Sequence, residues 1–133
     1  MSPQERFFSP ETLAAFKAGP WRMTDAWDRM GVRLAGPPVA PDAALDMPSE
    51  PIVRGSIQVA GDGVATVLLA DHQTTGGYPK IATVLDCDLD GLVQLRPRDA
   101  VAFQKVSPGQ AVGLARTAAL GAAAYRASLS RAG

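Results

Sequence analysis

At 133 residues the chain has the length of one domain built around one core. Thirteen Lys and Arg balance thirteen Asp and Glu with no basic cluster, which argues against a nucleic-acid partner. The single cysteine, Cys87, excludes an internal disulfide, and no apolar run is long enough to cross a bilayer.

Hydrophobic residues make up 47% and charged residues 20%, ordinary globular values, while 6% aromatic content assigns the core to Val, Leu, Ile and Ala. A lone cysteine and the absence of a signal-peptide pattern make a cytoplasmic, non-membrane protein the expectation. Cys87 itself reads as a small buried hydrophobe or a bystander rather than a nucleophile.

Residues 1–8 are short, mixed and uninformative. Ser9-Pro10-Glu11-Thr12 then opens a helix: Ser9 caps, Pro10 takes the first helical position, Glu11 favours the dipole, and Gly19-Pro20 ends the run. Residues 21–24 have extended character before a polar step at 25–28, and 29–34 alternate charged and apolar residues as a half-buried strand does. Gly36-Pro37-Pro38 stops that strand, and the proline-rich, acidic stretch 39–51 reads as a long loop.

Ile52 and Val53 start a further strand, 56–59 alternate again, and Gly61-Asp62-Gly63 signals a hairpin into 64–70. Residues 81–85 supply the strand expected to partner 64–70 across a polar loop. Residues 86–95 read as a short helix capped by Asp86 or Asp88, 96–99 as a turn, and 101–106 as a last strand. From Ser107, a capping residue, an alanine-rich helix runs over 110–131, with Val112, Ala115, Ala119, Ala122 and Ala123 along a shallow apolar side suited to docking on the domain or on a partner. Six or seven short strands with strong turn signals, two short helices and one terminal helix predict a mainly β, α+β fold of antiparallel or mixed barrel type.

The chain concentrates its donors and acceptors in ADHQTTGGYPKIATV, residues 70–84. Gly76-Gly77 gives the backbone access to positive φ, and Pro79 biases Tyr78 to an extended conformation. Thr74 and Thr75 offer hydroxyls, the Gly76 and Gly77 amides face an anion, and Lys80 offers charge to an oxyanion. His72, the only histidine, is the acid–base candidate. TTGGYP is equally good turn chemistry, and a lone histidine at a strand end is equally a structural residue. Asp28-Arg29 and Ser49-Glu50 form lesser polar clusters that read as solvated or capping groups. One His and one Cys do not make an ordinary zinc site, and no glycine spacing fits a Walker or dinucleotide motif.

DRMGVRLAGP (28–37), SEPIVRGSIQVAGDG (49–63), LLADHQTTGGYPKIATV (68–84) and LVQLRPRDAVAF (92–103) follow one another as in the biotin-dependent carboxyltransferase family, and the chain resembles that family over residues 4–106. The family comprises hydrolases and transferases: the C subunit of 5-oxoprolinase, allophanate hydrolase subunit 2 and the carboxyltransferase domain of urea carboxylase and urea amidolyase. The resemblance implies a cyclophilin-like β-barrel lobe over 1–106 and a helical extension over 107–133. It implies transfer of a carboxyl group from carboxybiotin on a partner to an amide nitrogen, or a part in ATP-dependent opening of 5-oxoproline by a complex. No tightly bound cofactor or metal is expected in this chain.

The resemblance marks the motif without fixing each role; among its residues we assign Gln73, Lys80 and His72 the catalytic roles. Thr74, Thr75, Gly76, Gly77, Tyr78, Arg29 and Gln58 take the substrate-contacting ones. Three departures from the family pattern stand out: His72 where Arg is usual, Pro97-Arg98-Asp99 where Pro-Gly-Asp is common, and Ala60 near a usual proline. The His72 departure shifts emphasis toward Gln73 and Lys80. Members are expected to be about twice as long, so the chain reads as a C-terminal half. It would be inactive alone and would work with an N-terminal lobe or companion subunit on a small amide such as urea, allophanate or 5-oxoproline, an arrangement compatible with an oligomer. The competing reading is a non-catalytic regulatory module, like a family relative that antagonises a kinase inhibitor.

Overall fold

The computed structural model describes residues 4–42 and 47–132; positions 43–46 of the expected loop 39–51 lie outside that range. A single 3-10 turn, Glu5–Phe7, precedes helix α1, Pro10–Ala18. Ser9 caps α1 as expected, its side chain accepting from the Thr12 N–H at 3.1 Å. At the other end the Gly19 N–H closes onto the Ala15 carbonyl at 3.0 Å.

Among the described residues eight short strands follow: β1 (Trp21–Trp27), β2 (Gly31–Ala35), β3 (Glu50–Pro51), β4 (Ser56–Val59), β5 (Ala65–Leu68), β6 (Thr75–Gly76), β7 (Lys80–Thr83) and β8 (Ala100–Val101). Six of them make one antiparallel sheet in the order β7-β4-β5-β2-β1-β8, curled into a half-barrel, and β3 and β6 pair as a separate ribbon. Helix α2 (Asp86–Val93) lies between β7 and β8, and helix α3 (Pro108–Ala132) ends the described chain.

The hairpin signal at Gly61-Asp62-Gly63 joins β4 to β5: Gly63 has φ +77° and its N–H bonds to the Ala60 carbonyl, while Asp62 Oδ1 accepts from the Val64 N–H at 3.0 Å. Because β4 takes one side of β5 and β2 the other, β5 has no edge left for the strand that follows the polar loop. The expected partnership of 81–85 with 64–70 is therefore not made; β7 crosses over and pairs with β4. Ile52 and Val53 are likewise not a strand, the extended pair lying two residues earlier at β3. The strand expected over 101–106 is reduced to β8, and β1 continues through the predicted polar step to Trp27.

Alternation sorts the sheet into two faces. Trp21, Met23, Val32, Leu34, Ile57, Val59, Ala65, Val67 and Ile81 point inward, where α1 adds Phe16 and α2 adds Leu89 and Leu92. Each fully buried aliphatic there contributes roughly 1.5–3 kcal/mol of transfer free energy. The core is less aliphatic than composition implies, because the few aromatics gather at one end. Phe16 stacks on Phe103 with centroids 5.0 Å apart, and the buried Trp21 donates its indole N–H to the Phe16 carbonyl at 2.8 Å. Gly36 lies against the Trp21 ring, where an added Cβ would come within 2.2 Å of Cε3.

Helix α2 is entered without a side-chain cap, so neither Asp86 nor Asp88 plays the expected role; both stand in its first turn, where they favour the dipole. Cys87 is exposed on α2, the bystander rather than the buried hydrophobe. Helix α3 opens with a reciprocal capping box, Ser107 Oγ accepting from the Gln110 N–H and Gln110 Oε1 from the Ser107 N–H. It touches α2 but buries none of its described side chains, leaving Val112, Leu114, Leu120, Tyr125 and Leu129 exposed. Among the described residues no helix is long and apolar enough to cross a membrane.

The turn at 96–99 forms as expected, Asp99 Oδ2 accepting from the Arg96 N–H at 2.7 Å. It holds Arg98 at φ +78°, a left-handed conformation costly for any residue with a Cβ and free for glycine. Arg98→Gly should raise stability in urea unfolding by roughly 0.5–1 kcal/mol, relief of local strain less the added chain entropy.

Candidate functional site

The outward face of the sheet carries a polar row. Lys80 on β7 stands opposite Gln58 on β4, Gln58 opposite Thr66 on β5, and Thr66 opposite Arg33 on β2. Residues paired directly across antiparallel strands point to the same side, so these four share one face. The row divides in two: the β3–β6 ribbon covers the Lys80–Gln58 end, and the Thr66–Arg33 end stays open.

At the covered end Gln58 and Lys80 are both buried, and so is Gln4. Gln58 Nε2 donates to the Tyr78 carbonyl at 3.4 Å, and the Lys80 ammonium to the Pro51 carbonyl at 3.5 Å. Gln4 Oε1 accepts from the Lys80 backbone N–H at 2.8 Å, while Gln4 Nε2 donates to Glu50. Across the ribbon the Ile52 N–H bonds to the Thr74 carbonyl at 3.0 Å.

The glycine pair works here by absence of a side chain rather than by positive φ. Neither Gly76 nor Gly77 adopts the left-handed region. A Cβ on Gly76 would come within 2.6 Å of Ile52 Cδ1 and 2.9 Å of Gln58 Nε2, whereas one on Gly77 would meet nothing closer than 3.5 Å.

At the open end a groove of about 390 Å³ is lined by Ala26, Trp27, Asp28, Met30, Gly31, Arg33, Thr66, Leu68, His72 and Gln73. His72 is half-buried and its Nδ1 lies 2.7 Å from the Gln73 carbonyl. A carbonyl only accepts, so that contact places the proton on Nδ1 and leaves Nε2 as the acceptor of the neutral ring. Asp28 Oδ1 takes the Met30 and Gly31 N–H groups at 2.8 and 3.2 Å, a turn-building role. Among the described residues no group of three or more His, Cys, Asp and Glu is placed to hold a metal.

The structure thus brings the sequence-derived candidates together as two groups, not one. Gln58, Lys80 and Gly76 meet under the ribbon; His72 and Gln73 line the groove. Thr74, Thr75 and Tyr78 are exposed around the ribbon, and Gly77 is half-buried beside it. Arg29 does not line the groove. It is engaged by Asp71, Nε to Oδ2 at 2.7 Å with a second contact at 3.3 Å, an exposed bidentate pair that ties the loop after β5 to the β1–β2 turn. The arginine that does line the groove is Arg33, and it stands outside the sequence-derived set together with Trp27, Met30 and Thr66. Alternation in RMGVRL puts Arg33 on the outward face, but only the β2–β5 register reveals Thr66 as its neighbour.

This curled antiparallel half-barrel with a polar outward face is a carboxyltransferase-type lobe. Residues 1–105 match the family described as "Carboxyltransferase domain, subdomain A and B", and the chain belongs to that family. It is similar to the C subunit of 5-oxoprolinase from Haemophilus influenzae, 44% identical over 96 residues that cover 72% of this chain and 31% of that protein. It is also similar to the corresponding C subunit of 5-oxoprolinase from Escherichia coli K12, 32% identical over 110 residues, 83% of this chain and 36% of that one. Among solved structures, the K. lactis urea amidolyase superposes with a TM-score of 0.76 at 26% identity, over 86% of this chain and 7% of that one. The matched segment therefore spans about a third of the length of these curated relatives.

Gly76→Ala should lower stability by about 1–3 kcal/mol in urea unfolding by wedging the ribbon from Gln58. Gly77→Ala, with ordinary contact distances, should stay within about 0.5 kcal/mol of the parent.

Proposed function

We propose that this chain is one lobe of a carboxyltransferase-type enzyme component that acts on a small amide together with a companion lobe or subunit. The observation that carries the reading is the polar row Lys80–Gln58–Thr66–Arg33 beside the His72–Gln73 groove, in a chain whose family is described as a carboxyltransferase domain. The relatives' names point to 5-oxoproline and urea, both small amides, and the naming of two of them as subunits supports a partner.

The roles proposed for these residues draw support from their surroundings. Gln73 lines the groove with a carboxamide that can both donate to and accept from an amide substrate. His72 Nε2 is the acceptor that would take a proton from that substrate. Lys80, buried beneath the ribbon with its ammonium on the Pro51 carbonyl, places a fixed positive charge behind the site where negative charge develops. Gln58 holds the Tyr78 carbonyl and so fixes the segment between groove and lysine. Biotin carried by a companion, or ATP used by the whole complex, would supply the activated group. Among this chain's residues Gln73 and Arg33 are donors of the kind that fit a ureido oxygen or a carboxylate.

Mixed with the missing lobe and its companion, the chain should support turnover dependent on substrate and ATP. Gln73→Ala and Lys80→Ala should each lower that turnover at least roughly tenfold, the usual scale for loss of one charge-stabilising contact, with near-ultraviolet dichroism retained. Unchanged turnover in both variants would sink the assignment.

A further inference from the structure

We propose that helix α3 is a self-association surface, through which two copies of the chain pair antiparallel with their helices crossing at Gly121. The family match ends at residue 105, and α3 buries none of its described side chains. Ala111 is the one half-buried residue among them, so the contact with α2 lies in the first turn and the rest projects from the domain. An alanine-rich helix interrupted by Gly113 and Gly121 gains little from intrinsic propensity, and such helices are held by packing one face. At about 100° per residue, Leu114, Ala118, Gly121, Tyr125 and Leu129 fall on one stripe roughly 80° wide. Its large members stand 46% (Leu114), 65% (Tyr125) and 54% (Leu129) exposed. Arg116, Arg126 and Arg131 lie about 100° or more from its centre, with Val112 and Leu120 among them. Ser128, on the stripe's flank, turns its hydroxyl back onto the Tyr125 carbonyl at 2.7 Å, so it leaves no unpaired donor there.

The stripe is complementary to its own reverse. Run antiparallel against a second copy, Leu114 meets Leu129, and Ala118 leaves room for Tyr125. Gly121 meets Ala122 at the crossing, where small residues let two backbones approach. A parallel pair would set Tyr125 against Tyr125 and align the helix dipoles. Charge favours the same arrangement. Helix α3 carries three arginines and no acidic residue, whereas α2 carries three aspartates and no basic residue. Arg54 reaches Asp86 and Asp90, yet their side chains remain 87% and 84% exposed. Asp88 is exposed and makes no ion pair among the described residues. Because α3 starts beside α2, antiparallel pairing brings Arg126 and Arg131 of the second copy back to this acidic helix, twice in each dimer.

Sedimentation velocity of the full chain through the micromolar range reads the association, and far-ultraviolet dichroism reads the helix. The parent should run as a concentration-dependent dimer that tightens as salt is lowered. A Cβ on Gly113 or Gly121 would meet nothing within 4 Å, so a single copy accommodates glutamate, the better helix former, at either position. Gly121→Glu should weaken the dimer at least roughly tenfold by setting two like charges at the crossing, with helicity kept or raised. Gly113→Glu, on the arginine side, should leave the dimer within about twofold of the parent or tighten it. Arg131→Glu and Asp88→Lys should each weaken it about fivefold, the scale of two exposed ion pairs per symmetric interface, and together restore it. A parent that stays monomeric throughout, a dimer indifferent to Gly121→Glu, an equal loss in Gly113→Glu, or no recovery in the double variant would each overturn the surface.

Discussion

A single buried carboxamide, that of Gln4, holds together parts of the chain that nothing local would unite. It accepts from the Lys80 N–H on the end strand β7 and donates to Glu50 on β3. β7 pairs with β4, and β3 belongs to the ribbon, so one side chain fastens the ribbon to the sheet. A neutral amide suits this place because it satisfies a donor and an acceptor without burying a charge of its own. Removing it would strand a buried backbone N–H, a loss of roughly 1–3 kcal/mol.

Everything distinctive about the outward face follows from that fastening. With the ribbon in place β4 is buried on both sides, so Ser56 and Gln58 are internal although they alternate with the core residues Ile57 and Val59. Ser56 Oγ is buried without a hydrogen-bond partner among the described residues. Lys80 is enclosed in the same way. Beyond the ribbon's reach the face stays open, and there the groove exposes Arg33, His72 and Gln73. One sheet thereby carries an enclosed lysine at one end of its polar row and an accessible polar groove at the other.

What is legible in the sequence is local. Caps at Ser9 and Ser107, the Gly61-Asp62-Gly63 hairpin and the Asp99-closed turn each depend on residues within a few positions, and each forms. The resemblance carried by the central motif anticipates the family and the half-barrel. What fails is non-local. Adjacency in sequence assigns the strand after the polar loop to β5, yet β5 is already flanked by β4 and β2. A linear reading favours Arg29 over Arg33 because nothing in it shows that Asp71, 42 residues on, takes up the former. Gly76 reads as a source of conformational freedom when its service is steric, since Ile52 and Gln58 come too close for a Cβ. Gln4, in a stretch that looks featureless, gains its importance only from partners 46 and 76 residues away.

The functional reading therefore rests on the ribbon's being held over Lys80 and Gln58, and native-state hydrogen exchange on Gln4→Ala tests that most directly. The Ile52 N–H, which bonds within the ribbon and never touches Gln4, is the reporter, and the Leu69 N–H, bonded to Met30 at the open end, is the control. If Gln4 fastens the ribbon, exchange at Ile52 accelerates at least roughly tenfold, about the cost of the stranded N–H, while exchange at Leu69 changes far less. Equal protection at Ile52 in parent and variant would contradict the account.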